Sequence, residues 1–142
     1  MQRAVDIARK GQGSVEPNPM VGCVLVRDEE LIAEGFHEEF GGPHAEANAI
    51  AHARSAGVEL RGATAYVTLE PCSHTGKTAP CADALIDAEI EKVHIAQVDP
   101  FEKVSGQGIE KLRAAGIEVT VGLLQDQAQQ LNAPYLLSLI HI

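Results

Sequence analysis

The chain has 142 residues, a formal net charge of −9 and 45% hydrophobic residues, values that are ordinary for one globular domain. It contains three Phe, two Tyr and no Trp, so neither a broad basic face nor a set of stacking rings is available for nucleic acid. No apolar run approaches the ~20 residues that span a bilayer, and the first residues do not form a signal peptide. We therefore expect a single cytoplasmic domain over residues 1–142, with neither nucleic acid nor a membrane as partner.

The first part of the chain predicts a helix, a hairpin and a second helix. A helix over residues 1–11 is ended by a glycine, and a loop containing Pro17-Asn18-Pro19 follows it. Two apolar strands over 21–28 and 31–38 are separated by a short polar connection, which is typical of a β-hairpin. After a break at a Gly-Gly-Pro sequence, alanines at helical spacing predict a helix over 44–55.

From residue 63 onwards, predicted strands alternate with predicted helices. The strands are 63–69, 92–98 and 117–124, and the helices begin near residues 81, 106 and 125. This alternation implies right-handed crossovers and parallel pairing. The sequence therefore predicts a three-layer α/β/α sandwich with a mixed five-stranded sheet, in which an antiparallel hairpin precedes parallel strands.

One histidine and two cysteines provide candidate ligands for a zinc ion. His44, Cys72 and Cys81 would supply one imidazole and two thiolates, which leaves a fourth position open, as in catalytic zinc sites. The odd cysteine count and the absence of a secretory signal argue against a disulfide framework. The third cysteine, Cys23, lies in the apolar run 21–26 and is predicted to be a small buried strand residue.

The predicted elements also explain how these residues could meet. His44 and Cys81 lie at predicted helix starts and Cys72 follows a strand, and these ends share one edge of an open α/β sheet. Residues two apart on a helix point roughly 200° away from each other, so His44 and Glu46 can serve one site only over the helix N-terminus. A carboxylate there could carry protons for a zinc-bound water. The pattern predicts a zinc-dependent hydrolytic deaminase.

The spacing of the cysteines departs from the general motif of zinc deaminases. That motif is H-x-E followed by P-C-x-x-C, whereas eight residues separate Cys72 from Cys81 here. Taken alone, the His-x-Glu sequence could arise by chance and the cysteines could be two unrelated core thiols. The interval reads Ser-His-Thr-Gly-Lys-Thr-Ala-Pro, and it resembles one branch of the cytidine-deaminase-like superfamily, the deaminase domain of riboflavin biosynthesis. The resemblance covers nearly the whole chain and continues in the segments 17–23, 35–37, 44–46, 62–72, 99–100 and 106–108.

This resemblance implies a reaction, a cofactor and a set of site residues. The reaction is hydrolytic removal of an amine from 2,5-diamino-6-(5-phosphoribosylamino)pyrimidin-4(3H)-one, which gives 5-amino-6-(5-phosphoribosylamino)uracil and ammonia. One zinc ion per chain would be held by His44, Cys72 and Cys81, with Glu46 moving the proton. The residues that resemble the family's substrate contacts are Asn18, His37, His74, Lys77 and Asp99.

The residues themselves leave some of these roles open. Lys77 is a lone cation in a glycine-containing loop and suits the ribose phosphate, although a solvated loop lysine is the alternative. His37 and His74 could be structural or surface histidines, and Asn18 could be a turn former. The chain also has Phe101-Glu102 where the family usually has a polar turn, which puts a substrate contact there in doubt.

Family members commonly carry a C-terminal reductase domain that uses NADPH. We expect no NADPH site in these 142 residues, so the reductase would be absent or a separate polypeptide. Residues 137–142 match nothing recognisable, and the resemblance implies a homo-oligomer. Two other functions remain open: a deaminase of another nucleoside, nucleotide or tRNA base, and a non-catalytic zinc-stabilised partner module. The acidic balance disfavours tRNA, and the presence of Glu46 disfavours the module.

Overall fold

A computed structural model describes residues 1–14, 20–39, 42–72, 81–98 and 106–131. It contains a five-stranded mixed sheet with helices on both faces, which confirms the predicted architecture. The strands are β1 Gly22–Arg27, β2 Glu30–Phe36, β3 Thr64–Val67, β4 Lys92–Ile95 and β5 Glu118–Val121. The helices are α1 Gln2–Ala8, α2 Ala45–Ser55, α3 Cys81–Asp87, α4 Gln107–Ala114 and α5 Gln125–Leu131. None of the helices within these described ranges is long and apolar enough to cross a membrane.

The direction of each strand determines which strand ends lie side by side in the sheet. The strand order is β2-β1-β3-β4-β5, with β1 antiparallel to β2 and β3, and with β3, β4 and β5 parallel. Cys23 at the start of β1 pairs with Val67 at the end of β3, and Gly22 pairs with Phe36 at the end of β2. The start of β1 and the ends of β2, β3 and β4 therefore share one edge of the sheet.

The hairpin turn lies at the opposite edge and begins one residue earlier than the predicted strand bounds imply. Arg27 pairs with Glu30, so Asp28 and Glu29 alone form the turn. Both have positive φ angles, +51° and +65°, as in a type I′ turn. This turn type matches the right-handed twist of the two strands, which explains why two non-glycine residues adopt the left-handed conformation here.

The core lies mainly between the sheet and helices α2, α3 and α4. Leu25 faces this core, whereas the preceding Val24 faces Ala4 and Ile7 of α1 on the other side, as strand alternation requires. The backbone of β2 contacts α2 closely. A Cβ added at Gly35 would lie only 2.4 Å from the backbone nitrogen of Ala49 in α2. The small side chains predicted for α2 allow this approach, and Ala45, Ala49 and Ala53 are fully buried.

Several elements are shorter than the sequence predicts. Regular pairing ends at Val67 in β3 and at Ile95 in β4, although apolar residues continue beyond both positions. The extensions remain hydrogen-bonded: the N–H of Glu70 donates to the carbonyl of Gln97 at 2.9 Å. The extended chain therefore runs buried from β3 into the segment that carries the first cysteine of the site. The predicted first helix is α1 followed by a 3-10 turn over Arg9–Gly11.

Candidate active site

His44 and Glu46 reach the same site because the helix begins between them. His44 is the N-cap of α2 and has an extended backbone, with φ −74° and ψ 167°, whereas Glu46 is in the first helical turn. The ring of His44 therefore does not follow the helical rotation that would separate it from Glu46. Glu46 is 3% exposed, and its carboxyl group lies close enough to Cys72, His44 and Cys81 for each of them to influence its pKa.

The two cysteines are connected directly by the backbone of the second one. Cys72 follows the extension of β3, and Cys81 is the first residue of α3. The N–H of Cys81 donates to the Cys72 sulfur at 3.1 Å, and the N–H of Ala82 donates to the Cys72 carbonyl at 3.0 Å. The two ends of the interval 73–80 are thereby held together, which is how cysteines nine positions apart reach one site.

The ligand atoms of these residues fit a zinc ion. Nδ1 of His44 lies 3.2 Å from Sγ of Cys81 and 3.8 Å from Sγ of Cys72, and the three ligand atoms all lie within 4.8 Å of one another. A tetrahedral zinc with ordinary bond lengths separates nitrogen and sulfur ligands by about 3.6 Å. Cys81 is buried, Cys72 half-buried and His44 exposed, so the group is open on one side.

The four ionisable groups of the site shift one another's pKa values. Hydrogen bonding from Cys81 lowers the pKa of the Cys72 thiol, and the same interaction together with burial raises the pKa of Cys81. The hydrogen bond to Cys72 raises the pKa of His44, and burial opposes that effect. Burial raises the pKa of Glu46 to about 7, and the neighbouring Cys72 charge adds to the shift. At pH 7 the thiol of Cys72 is thus ionised, and the carboxyl group of Glu46 can both accept and release a proton.

His37, one of the predicted substrate contacts, lies against the ring of His44. The ring centroids are 5.4 Å apart, with an interplanar angle of 89°. His37 is buried, and its Nδ1 lies 3.0 Å from the carbonyl oxygen of Pro43, so Nδ1 carries the proton and donates it. Asn48 also donates from Nδ2 to Pro43, at 3.4 Å, and to the carbonyl of Phe36 at 2.8 Å. Asn48 was not predicted, and it fixes the chain that leads into His44.

Glu70 is a second residue whose importance the sequence did not reveal. It lies in the segment 62–72 that carries the family resemblance, and it is 5% exposed. Its Oε1 accepts the N–H of Gly106 at 2.9 Å, and its Oε2 accepts those of Gly108 at 2.8 Å and Ile109 at 3.3 Å. The sequence signal that could have revealed Glu70 is a glutamate at the end of a buried strand, which requires hydrogen-bond partners but does not identify them.

The other predicted substrate contacts fall outside the described residues. These are Asn18, His74, Lys77 and Asp99, and Phe101-Glu102 also falls outside. Described residues flank each of these segments: Met20 precedes β1, Cys72 and Cys81 bound one segment, and Val98 and Gly106 bound another. The roles of the four contacts stay predictions.

Comparison with known proteins agrees with this geometry. Residues 1–97 match the family described as the cytidine and deoxycytidylate deaminase zinc-binding region. The chain belongs to this family of zinc-binding deaminases.

The relatives identify a branch within the family. The diaminohydroxyphosphoribosylamino-pyrimidine deaminase of Buchnera aphidicola is 46% identical over 132 residues, which cover 93% of this chain and 88% of the relative. The riboflavin biosynthesis protein RibD of Haemophilus influenzae is 54% identical over 136 residues, covering 96% of this chain and 36% of the relative. The predicted resemblance to the deaminase domain of riboflavin biosynthesis is confirmed.

A solved structure shows the same fold. The diaminohydroxyphosphoribosylaminopyrimidine deaminase/5-amino-6-(5-phosphoribosylamino)uracil reductase of Thermotoga maritima superposes with a TM-score of 0.92 at 53% identity, covering 96% of this chain and 39% of that protein. This chain therefore spans little more than a third of the length of such bifunctional relatives.

Proposed function

We propose that the protein is a zinc-dependent deaminase of riboflavin biosynthesis, which hydrolyses 2,5-diamino-6-(5-phosphoribosylamino)pyrimidin-4(3H)-one to 5-amino-6-(5-phosphoribosylamino)uracil and ammonia. The observation that carries this proposal is the open group of His44, Cys72 and Cys81 with the buried carboxyl of Glu46 beside it. The substrate class comes from the name of the Buchnera relative, which matches this chain over most of both lengths.

His44, Cys72 and Cys81 would hold the zinc through Nδ1 and the two sulfurs. When bound, zinc supplies a nucleophilic water at neutral pH. The exposed side of the group, at His44, is where the pyrimidine ring would approach, because Cys81 is covered by the protein. Described residues that flank the predicted substrate contacts, Met20 before β1 and Val98 after β4, belong to the same edge of the sheet as this group.

Glu46 would move the protons of the reaction. Its carboxyl group, with a pKa of about 7, can accept a proton from the attacking water and later release that proton to the leaving amine. The new bond forms between the water oxygen and the ring carbon, and the bond from that carbon to the exocyclic nitrogen breaks. The nitrogen leaves as ammonia, the second proton of the water passes to the adjacent ring nitrogen, and the ring carbon becomes a carbonyl. A single buried carboxyl group therefore accounts for both transfers.

Five residues are proposed to bind the substrate. His37 is supported by its contact with the ring of His44, which places it in the wall of the site. For Lys77 the support is chemical, since a cation beside the metal group would pair with the ribose phosphate. The remaining proposed contacts are Asn18, His74 and Asp99, which rest on the family resemblance.

The proposed cofactor is one zinc ion per chain, without an NADPH site. The reductase that family members carry would act on the product of this chain, either in the same polypeptide or in a separate one. Homo-oligomerisation, a cytoplasmic location and the organisation of residues 1–142 as one domain stay predictions.

The deciding experiment is an assay of ammonia release from the phosphoribosylated diaminopyrimidine, with zinc measured on the same sample. We expect turnover together with about one zinc per chain. Turnover of cytidine or an adenosine-containing RNA but not of the phosphoribosyl compound would contradict the proposed substrate. Zinc binding without turnover of any of these substrates would instead indicate the non-catalytic module.

A further inference from the structure

The carboxylate of Glu70 joins two parts of the chain that are distant in sequence. Three hydrogen bonds among the described residues connect position 70 to the N–H groups of residues 106, 108 and 109. These groups lie at the start of α4, where backbone N–H groups have no partner within the helix. A buried carboxylate that accepts several N–H groups at a helix start has both the hydrogen bonds and the helix dipole in its favour.

The start of α4 also lies directly against the residue that precedes Cys72. A Cβ added at Gly108 would lie 2.0 Å from the carbonyl oxygen of Pro71, so the two backbones are in contact. Pro71 is fully buried between Glu70 and Cys72. The position of the Cys72 backbone is therefore set by a buried contact with α4, and the hydrogen bonds of Glu70 maintain that contact.

The contacts of three consecutive residues, Glu70, Pro71 and Cys72, thus depend on one another. Glu70 binds the start of α4, Pro71 packs against it, and Cys72 supplies a sulfur to the group with His44 and Cys81. A shift of α4 away from the sheet would displace Pro71, and the Cys72 sulfur would move with it. Because both sulfurs and the imidazole nitrogen must lie at bonding distance from one zinc ion, such a shift would weaken metal binding.

We propose that Glu70 is a positioning residue, which sets the place of the Cys72 sulfur in the metal site through the start of α4. This inference rests on the proposed zinc site. It assigns to Glu70 a role outside the ligand group itself: Glu70 holds a ligand without touching the metal. The same hydrogen bonds fix Gly106, at which the segment 99–105 ends, so Glu70 also anchors one end of the segment that contains Asp99.

The test compares a Glu70→Gln variant with a Leu112→Ala variant. Gln keeps the shape of the side chain but places an NH₂ group against backbone N–H donors, so at least one hydrogen bond is lost. Leu112 is a fully buried residue of the same helix, and its replacement destabilises α4 without changing Glu70. Zinc affinity is measured by competition with a chelator at a temperature where both variants are folded, and the cobalt-substituted proteins are compared by their thiolate-to-cobalt absorption.

We expect Glu70→Gln to lose about 10- to 100-fold in metal affinity and to change the cobalt spectrum, as changes to residues that support metal ligands do. Leu112→Ala should lower the melting temperature and leave both metal readouts unchanged. Equal metal affinity and spectra in the two variants would show that Glu70 merely supports the fold, and would overturn the inference.

A second variant keeps the test decisive if the Gln variant does not fold. Glu70→Asp retains the charge but shortens the side chain, and it should still weaken metal binding more than Leu112→Ala does. An Asp variant with wild-type affinity and spectrum would overturn the inference. Failure of the wild-type protein itself to bind zinc is a different result, because it would contradict the proposed function and not the role of Glu70 alone.

Discussion

The backbone N–H of Cys81 donates a hydrogen bond to the sulfur of Cys72 at 3.1 Å. This contact does not depend on the Cys81 side chain, so it would persist if that side chain were replaced. The pKa of the Cys72 thiol is lowered chiefly by the side chain of Cys81 and then by that of His44, and this backbone N–H lowers it further. The backbone of Cys81 thus helps to stabilise the thiolate form of Cys72, which is the form that binds a metal.

Replacing either cysteine of the site should remove the zinc. We expect Cys72→Ser and Cys81→Ser each to lower zinc affinity by more than about 100-fold, since changes outside the ligand shell already cost 10- to 100-fold. Cys23→Ala is the matched control, because Cys23 is fully buried in β1 and is not one of the grouped ligands. Zinc content after dialysis, measured by mass spectrometry, checks this prediction. Equal loss of zinc in all three variants would indicate general unfolding instead.

The Glu46→Gln variant should retain zinc and lose activity. Gln has nearly the same shape and suits the buried position of Glu46, but it cannot accept a proton. We expect kcat to fall by about 10²- to 10⁴-fold, the range for removal of a general acid–base group. Steady-state ammonia release and zinc content on the same preparation measure the two effects. Glu91→Gln, which changes an exposed residue just before β4, is the control, and full activity of Glu46→Gln would contradict the assigned role.

The ion pair between Arg3 and Glu34 should make stability depend on pH. The guanidinium group of Arg3 binds both carboxylate oxygens of Glu34, at 2.7 and 2.8 Å, and joins α1 to β2. This hydrogen bonding lowers the pKa of Glu34. A lowered pKa in the folded state stabilises the protein above the pKa of the unfolded state, and the contribution is lost as the pH falls through the folded value.

Arg3→Gln should therefore lower the melting temperature slightly at pH 7, and the difference from wild type should shrink below about pH 4. Thermal unfolding followed by circular dichroism at pH 7, 4 and 3 checks this expectation. Arg9→Gln removes the same charge from a residue that forms no ion pair with the described residues. A pH-independent difference for Arg3→Gln would show that the guanidinium acts through packing and not through Glu34.

The hairpin turn should become more stable when glycine replaces its second residue. Glu29 has a φ of +65°, a conformation that costs free energy for a side chain with a Cβ. We expect Glu29→Gly to raise the free energy of unfolding by about 1 kcal/mol, measured by urea denaturation. Glu30→Gly, one position along in β2, should instead destabilise the protein, because glycine weakens a strand. A loss of stability in Glu29→Gly would contradict the argument.

Local sequence patterns were sufficient to predict the elements and the convergence of His44, Cys72 and Cys81. The alternation of strands and helices predicted the mixed sheet, and the argument that His44 must lie at the helix N-terminus is confirmed by its position as the N-cap of α2. Cys23 is buried in β1, as its apolar surroundings predicted. These predictions succeeded because each rests on a local pattern that fixes an element or one of its ends, and the order of the elements then brings those ends together.

The residues that support the site could not be predicted in the same way. Glu70 interacts with N–H groups 36 to 39 positions further along, and no local pattern specifies such partners. The close contact of Gly108 with Pro71 likewise depends on how α4 docks. The predicted strands extend too far because apolar residues continue past Val67 and Ile95. The chain beyond these two residues stays buried but does not pair as a regular strand.

The Asp28–Glu29 turn and the metal group lie at opposite ends of β1. Its six residues, Gly22–Arg27, correspond to about 20 Å of extended chain. A spin label attached at position 29 would thus be separated from a paramagnetic ion at His44, Cys72 and Cys81 by a distance that rigid strands define. The distance between the spin label and the ion would therefore locate a bound metal without altering any residue near it.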